Sequence, residues 1–238
     1  MELVIDIGNT WAKAAVFINN GIHLVVHHQD ATKGLHSQLK DFSFERIIIS
    51  STRGDTGNCE LYWSKVAQTL ILTHKTALPI KNEYGTPETL GKDRLAAVIG
   101  GRFLYSEGAV LAIDAGTCIT YDLLTADDRY LGGNISPGAT MRFKALNNFT
   151  GALPLVNVYE VDDLIGSTTN QAIATGVING LSREINQTIT DYEDQFKPLN
   201  VILCGGEAKY FVNRIKKEIF ANQNLVLIGL HKILLFND

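Results

Sequence analysis

Two segments of the chain echo one another. Residues 3–17 read LVIDIGNTWAKAAVF and residues 110–124 read VLAIDAGTCITYDLL. Each is an apolar strand pattern ending in Asp-x-Gly, then Thr, then a second strand pattern. One Asp-x-Gly turn carries little information, because Asp and Gly make turns wherever chains reverse. Two of them, each between strand patterns and about half a chain apart, predict two similar lobes. Each lobe would open with a hairpin whose turn is acidic and glycine-rich. A chain of 238 residues is long enough for this, since length over about 150 gives one or two domains. The boundary is expected near residue 106, with an N-terminal lobe over 1–106 and a C-terminal lobe over 107–238.

Other short apolar runs rich in β-branched residues also read as strands. Leu3–Ile7, Ala14–Ile18, Ile22–His27, Arg46–Ser50, Ala109–Ile113, Ile119–Leu124 and Leu199–Leu203 form this set. Helical patterns lie between them. Arg94–Tyr105 is one, with an awkward Gly100-Gly101 pair. Thr169–Ile189 is another, with a stripe at Ala172, Ile173, Gly176, Val177, Gly180, Leu181 and Ile185. Glu207–Phe220 and Leu225–Phe236 each predict a helix, and Gly132–Gly138 reads as a loop leading into a helix start. Strands alternating with helices argue for α/β layers. The small residues along the 169–189 stripe allow close helix approach, more than a solvent-facing helix needs.

Composition excludes several classes. At 45% hydrophobic and 19% charged, the chain is neither disordered nor solvating. Its net charge of −4 suits it poorly to nucleic acid, where Lys and Arg must neutralise phosphates. Three distant cysteines with no C-x-x-C pair indicate neither a zinc knuckle nor a disulfide framework. The opening MELVIDIGNTW lacks a basic n-region, and no apolar run approaches the roughly 20 residues of a membrane span. A cytoplasmic protein without membrane partners is expected.

The common nucleotide loops fail. G-x-G-x-x-G is absent. Gly85–Lys92 has five spacer residues where a P-loop has four, and Asp93 stands where Ser or Thr would hold magnesium. Two hairpin turns offer a different phosphate clamp, in which Gly8 and Gly116 bring backbone N–H groups close to phosphate oxygens. Thr10 and Thr117 add hydroxyls, and Lys13 lies within reach. Asp6 would hold a hydrated Mg²⁺ rather than touch phosphate. Asp93 opens a strong helix pattern beside Arg94, and the residues leave two roles open for it, helix cap or general base. Gly205-Gly206 is either an adenine platform or an ordinary strand–helix turn.

Four ordered motifs together resemble type III pantothenate kinase: Asp6-x-Gly-Asn-Thr10, Tyr84…Gly91-x-Asp-Arg94, Asp114-Ala-Gly-Thr117 and Gly132-Gly-x-Ile-x-Pro-Gly138. That family belongs to the actin/sugar-kinase/Hsp70-like superfamily. The resemblance implies two similar lobes of ribonuclease H-like/actin-like α/β fold with the active site in the cleft between them. It implies transfer of the ATP γ-phosphate to the primary hydroxyl of pantothenate, the entry step of coenzyme A synthesis. On the same ground, Asp6, Ile7, Gly8, Asn9, Thr10, Trp11, Ala12 and Lys13 are the ATP segment, and Thr117 contacts ATP. Tyr84, Gly91, Lys92, Asp93 and Arg94 meet pantothenate, with Asp93 as proton acceptor. Asp114 binds K⁺ or NH₄⁺, Asp6 reaches Mg²⁺ through water, and Thr169 contacts substrate across a dimer. Lys92 and Cys118 depart from the family's usual residues without removing a catalytic group. A non-catalytic regulator and another small-molecule kinase on this fold are the alternatives, and ADP release with and without pantothenate separates them.

Overall fold

The computed structural model describes every residue except Asn9, Gly54, Asp55 and Asp238. The chain forms two compact units. The first comprises Met1–Ser106, Asp128–Leu131 and Asn224–Asp238, and the second Glu107–Asp127 and Gly132–Gln223.

The first unit contains β1 (Glu2–Ile7), β2 (Ala12–Ile18), β3 (Gly21–His28), α1 (Lys33–Gln38), β4 (Arg46–Ser51), α2 (Gly57–Trp63), β5 (Gln68–Ile71), β6 (Lys81–Asn82) and α3 (Lys92–Leu104). Its sheet runs β3-β2-β1-β4-β5, antiparallel across the first three strands and parallel thereafter. β1 is apolar on both faces because both faces are covered. Leu3, Ile5 and Ile7 pack with Leu35, Leu39 and Trp63 on one side. Val4 packs with Ala96 and Ile99 on the other. The Trp63 indole donates to the Ala31 carbonyl at 2.8 Å, so the largest buried side chain is also satisfied.

The second unit contains β7 (Ala109–Ala115), β8 (Cys118–Leu124), β9 (Arg129–Pro137), α4 (Ala139–Asn148), α5 (Thr169–Gln195), β10 (Leu199–Cys204) and β11 (Phe220–Ala221). The opening of β9, Arg129 and Tyr130, pairs with β6 and counts with the first unit. Strand order in the second unit is β9-β8-β7-β10-β11. This repeats the first unit's order strand for strand, with β7 antiparallel to β8 and parallel to β10. The sequence echo at Asp6 and Asp114 is therefore a repeat of topology. Ile178, Leu181 and Ile185 of α5 fill this unit's core against Leu111, Ile113, Tyr121 and Leu203.

The contiguous division expected from chain order is corrected at the C-terminus. After the second unit the chain returns to the first as α6 (Leu225–Phe236). The reason is a glycine crossing. A Cβ on Gly229 would lie 1.7 Å from the Ala96 carbonyl oxygen, and one on Gly100 would lie 2.3 Å from that of Leu225. α3 and α6 thus meet backbone to backbone, which explains Gly100. Two further expectations change. Residues 132–137 continue β9 rather than forming a loop. The helix expected over 207–220 is two short 3₁₀ turns, Ala208–Tyr210 and Val212–Arg214. Asn186 intercepts that backbone, donating to the Arg214 carbonyl and accepting from the Lys216 N–H at 2.8 Å each. Among the described residues, no helix is long and apolar enough to cross a membrane.

α6 also buries a titratable group. His231 is fully buried and stacks on Phe17, with centroids 3.9 Å apart. Its Nε2 lies 3.7 Å from Glu2 Oε2, and Glu2 also pairs with Arg46. Burial, then the Lys232 charge, push its pKa down to about 4, against an opposing pull from Glu2. The unfolded chain binds this proton near its ordinary pKa of about 6.5. Stability from neutral His231 is therefore complete above that value and lost as pH falls from about 6.5 towards 4. The loss amounts to at most about 3 kcal/mol. Urea unfolding of His231→Phe should show a flatter pH slope across this window than the parent protein. Equal slopes would sink the assignment.

Candidate active site

In the first unit, β1 and β2 end their pairing at Ile7↔Ala12, and the Gly8 N–H closes the turn onto the Trp11 carbonyl at 3.1 Å. Thr10 and Trp11 are exposed, with half of Trp11 open to solvent. Asn9, expected among the ATP contacts, lies outside the described residues. One strand step before the turn, Asp6 pairs with Lys13 on β2 and with Ser50 on β4, and Lys13 pairs with His27 on β3. Register partners share a face, so His27, Lys13, Asp6 and Ser50 form a polar row across four strands. Burial, then the Lys13 charge, hold the His27 pKa below its ordinary value. The Ser50 hydroxyl is buried and has no hydrogen-bond partner among the described residues.

The chain after β4 lies along the same turn. The Thr52 N–H and hydroxyl both donate to the Ile7 carbonyl, at 3.0 and 3.2 Å. Arg53 Nε donates to the Gly8 carbonyl at 2.8 Å. Ser50 and Arg53 escaped sequence reasoning. The available signal was the run Ser-Ser-Thr-Arg closing an isoleucine strand, whose meaning depends on the parallel register of β1 and β4.

α3 brings in the next group. Gly91 is its N-cap and supplies no side chain. Asp93 is thus not the cap; it sits in the first turn, where Oδ1 accepts the Arg94 N–H at 2.9 Å. A carboxylate there is favoured by the helix dipole. Arg94 is buried, with its guanidinium 5.6 Å from the centroid of the Tyr84 ring. Lys92 Nζ donates to the Ser51 carbonyl at 3.4 Å. Tyr84, Gly91, Lys92, Asp93 and Arg94 therefore gather at one helix start. Lys92 ties that start to the end of β4, and the residues that follow β4 hold the first turn.

In the second unit, β7 and β8 end at Ala115↔Ile119, and the Gly116 N–H closes onto the Cys118 carbonyl at 3.0 Å. Thr117 is exposed and Asp114 half-buried. Two glycines clasp this turn. A Cβ on Gly138 would lie 2.2 Å from the Gly116 carbonyl oxygen, and Gly138 N–H donates to the Thr117 carbonyl at 3.0 Å. Gly205 has φ +94°, and a Cβ there would lie 2.4 Å from both the Ala115 carbonyl oxygen and Asp114 Oδ1. Thr169 is on another element, exposed at the first residue of α5. The small-residue stripe of α5 divides. Ile173, Val177 and Leu181 face the unit's own core, while Ala172 and Gly176 are exposed.

Asp6 and Asp114 each offer hard carboxylate oxygens, the ligand type that hard cations such as Mg²⁺ take. No group of three or more His, Cys, Asp or Glu cages a metal among the described residues.

Two units of identical strand order, each opening on an Asp-x-Gly hairpin turn, define the two-lobed actin and sugar-kinase fold. Solved structures share that fold. A Baf family transcriptional activator from Campylobacter jejuni superposes with a TM-score of 0.66 at 20% identity, covering 99% of this chain and 98% of that one. The ROK hexokinase from Thermus thermophilus does so at 0.55 and 12%, covering 98% of each. Sequence comparison is more specific. The type III pantothenate kinase family matches residues 2–191. The type III pantothenate kinase of Christiangramia forsetii is 45% identical across 100% of this chain and 99% of its own. That of Phocaeicola vulgatus is 42% identical with the same coverage. The chain belongs to the type III pantothenate kinase family. It is a kinase that phosphorylates pantothenate at the expense of ATP, in coenzyme A biosynthesis.

Proposed function

We propose that Asp93 accepts the proton of the pantothenate hydroxyl while residues 6–13 and Thr117 hold ATP. The observation that supports this most is the linkage inside the first unit. Lys92, beside Asp93, bonds the end of β4, and Thr52 and Arg53 bond the carbonyls of Ile7 and Gly8. Acceptor group and phosphate turn thus share one rigid corner. The Thr10 backbone N–H, the hydroxyls of Thr10 and Thr117, and Lys13 take the phosphate oxygens. Ile7, Trp11 and Ala12 shape the same segment. Tyr84, Gly91, Lys92 and Arg94 orient pantothenate, the guanidinium facing its carboxylate. As the hydroxyl oxygen bonds the γ-phosphorus, the bond to the bridging oxygen breaks, ADP leaves and the proton passes to Asp93. Asp6 would hold hydrated Mg²⁺, which offsets the charge on the transferring phosphate. Asp114 would hold K⁺ or NH₄⁺, which offsets the negative charge that ATP brings to the carboxylates.

Two features belong to the same reading. Ala172 and Gly176 leave an exposed, low-relief face on α5, and among the described residues no atom beyond the neighbouring helix backbone stands within 4 Å of a Cβ on Gly176. A second copy fits there and places Thr169 against its neighbour's substrate, giving a cytoplasmic homodimer with shared sites. Sedimentation should show a dimer at micromolar protein; an active monomer alone would refute it. ADP release should require pantothenate, fail with glucose, and rise at least about tenfold when K⁺ replaces Na⁺, a gain in transition-state stabilisation of about 1.4 kcal/mol. Equal rates in the two salts would remove Asp114's cation role, and ADP release without pantothenate would remove the kinase assignment.

A further inference from the structure

The two glycine clasps on the second turn are joined by one side chain. Gly138 leads into α4 and Gly205 follows β10, and both lie flush on Asp114–Thr117. Glu207, two residues after Gly205, spans them. Its backbone N–H donates to the Ala115 carbonyl at 2.8 Å. Its Oε2 accepts the Ala139 N–H, the first of α4, at 3.2 Å. Its Oε1 accepts the Thr140 hydroxyl at 2.7 Å and the Tyr159 hydroxyl at 3.2 Å. Thr140 and Tyr159 also touch at 2.5 Å, and Tyr159 stacks on Tyr210 at 4.4 Å. The carboxylate thus satisfies the start of one helix and locks it to the loop that carries the other clasp.

We infer that Glu207 is a positioning residue for ATP: it holds the Gly138 and Gly205 clasps together and so fixes the Asp114–Thr117 turn. This rests on the reading of that turn as a nucleotide-phosphate site. The loop after β10 is built to keep a flat, side-chain-free surface against Asp114. Without the Glu207 carboxylate the flanks keep their backbone bonds and the Thr140–Tyr159–Tyr210 contacts but lose the bonds that tie the α4 start to the Gly205 loop, and the turn gains freedom that ATP binding must then remove. Pantothenate is handled by a different set, Tyr84 and the α3 start, so its binding should not change.

The test is steady-state kinetics with both substrates varied. Glu207→Ala should raise the KM for ATP by at least about tenfold and leave the KM for pantothenate within about twofold. Glu207→Gln keeps the shape and can still accept from Ala139 while bonding the two hydroxyls, so its ATP KM should return to within about threefold of the parent. A purely structural role would lower the melting temperature and the active fraction with both KM values unchanged, and that result overturns the proposal. Should Glu207→Ala fail to fold, Thr140→Ala removes one partner from the surface side and must shift the ATP KM in the same direction. Thr117→Ala separates the two layers of the argument. If it raises the ATP KM and the Glu207 and Thr140 variants do not, positioning is wrong and the turn reading stands. If it leaves the ATP KM unchanged, the turn reading fails and the proposal fails with it.

Discussion

Asp93→Asn protein folds, melts near the parent temperature, binds pantothenate and turns over at least about a hundredfold more slowly. The structure sharpens this expectation. Gly91 is the cap of α3, and Asp93 lies inside the first turn with Oδ1 accepting the Arg94 N–H. An asparagine Oδ1 accepts the same bond. What folding loses is a charge near the helix dipole, worth about 0.3–1 kcal/mol. What catalysis loses is the group that takes a proton from an unactivated alcohol, a role worth about 10²–10⁴-fold. Because Arg94 and Tyr84 are untouched, the loss should fall on kcat with the pantothenate KM nearly unchanged. Turnover above a tenth of the parent's would mean that Asp93 serves only the helix start, and the base would have to be sought elsewhere.

The central strands could be read from sequence because each is an uninterrupted apolar run buried on both faces, and the Asp6/Asp114 echo correctly predicted a repeated topology. What escaped reading depends on contacts between distant residues. β9 carries Gly132-Gly133, which suppresses the β signal. The stretch 207–220 has helical spacing at Ala208, Phe211 and Ile215, but the Asn186 side chain, on another element, takes its backbone groups. Ser50 and Arg53 acquire a site through the pairing Asp6↔Ser50 and the bond to Gly8. Asp93 was left open between cap and base because nothing in one sequence says that Gly91 already ends the loop. Tyr84 and Gly91–Arg94 lie together at the start of α3, and their chemical roles rest on the proposal above.

The placement of α6 was the least readable feature, and it yields the largest expected stability loss. Gly229→Ala would ordinarily help a helix, since Ala exceeds Gly by about 0.8–1.0 kcal/mol in a helix interior. Here the added carbon would stand 1.7 Å from the Ala96 carbonyl oxygen and 2.9 Å from the Gly100 nitrogen. Both are backbone atoms of α3, so no rotamer change relieves the overlap. The helices must separate, which opens the packing among Ala96, Ile99, Leu230 and Ile233 in the core beneath them. Overpacking costs about 1–3 kcal/mol where side chains can adjust; against fixed backbone we expect at least about 3 kcal/mol. Urea unfolding should show a lower midpoint with an unchanged slope. The surviving protein should also lose activity, because the helix displaced is the one that carries Asp93. A midpoint equal to or above the parent's would mean that α3 and α6 do not cross on these glycines, and the return of α6 to the first unit would then have to be redrawn.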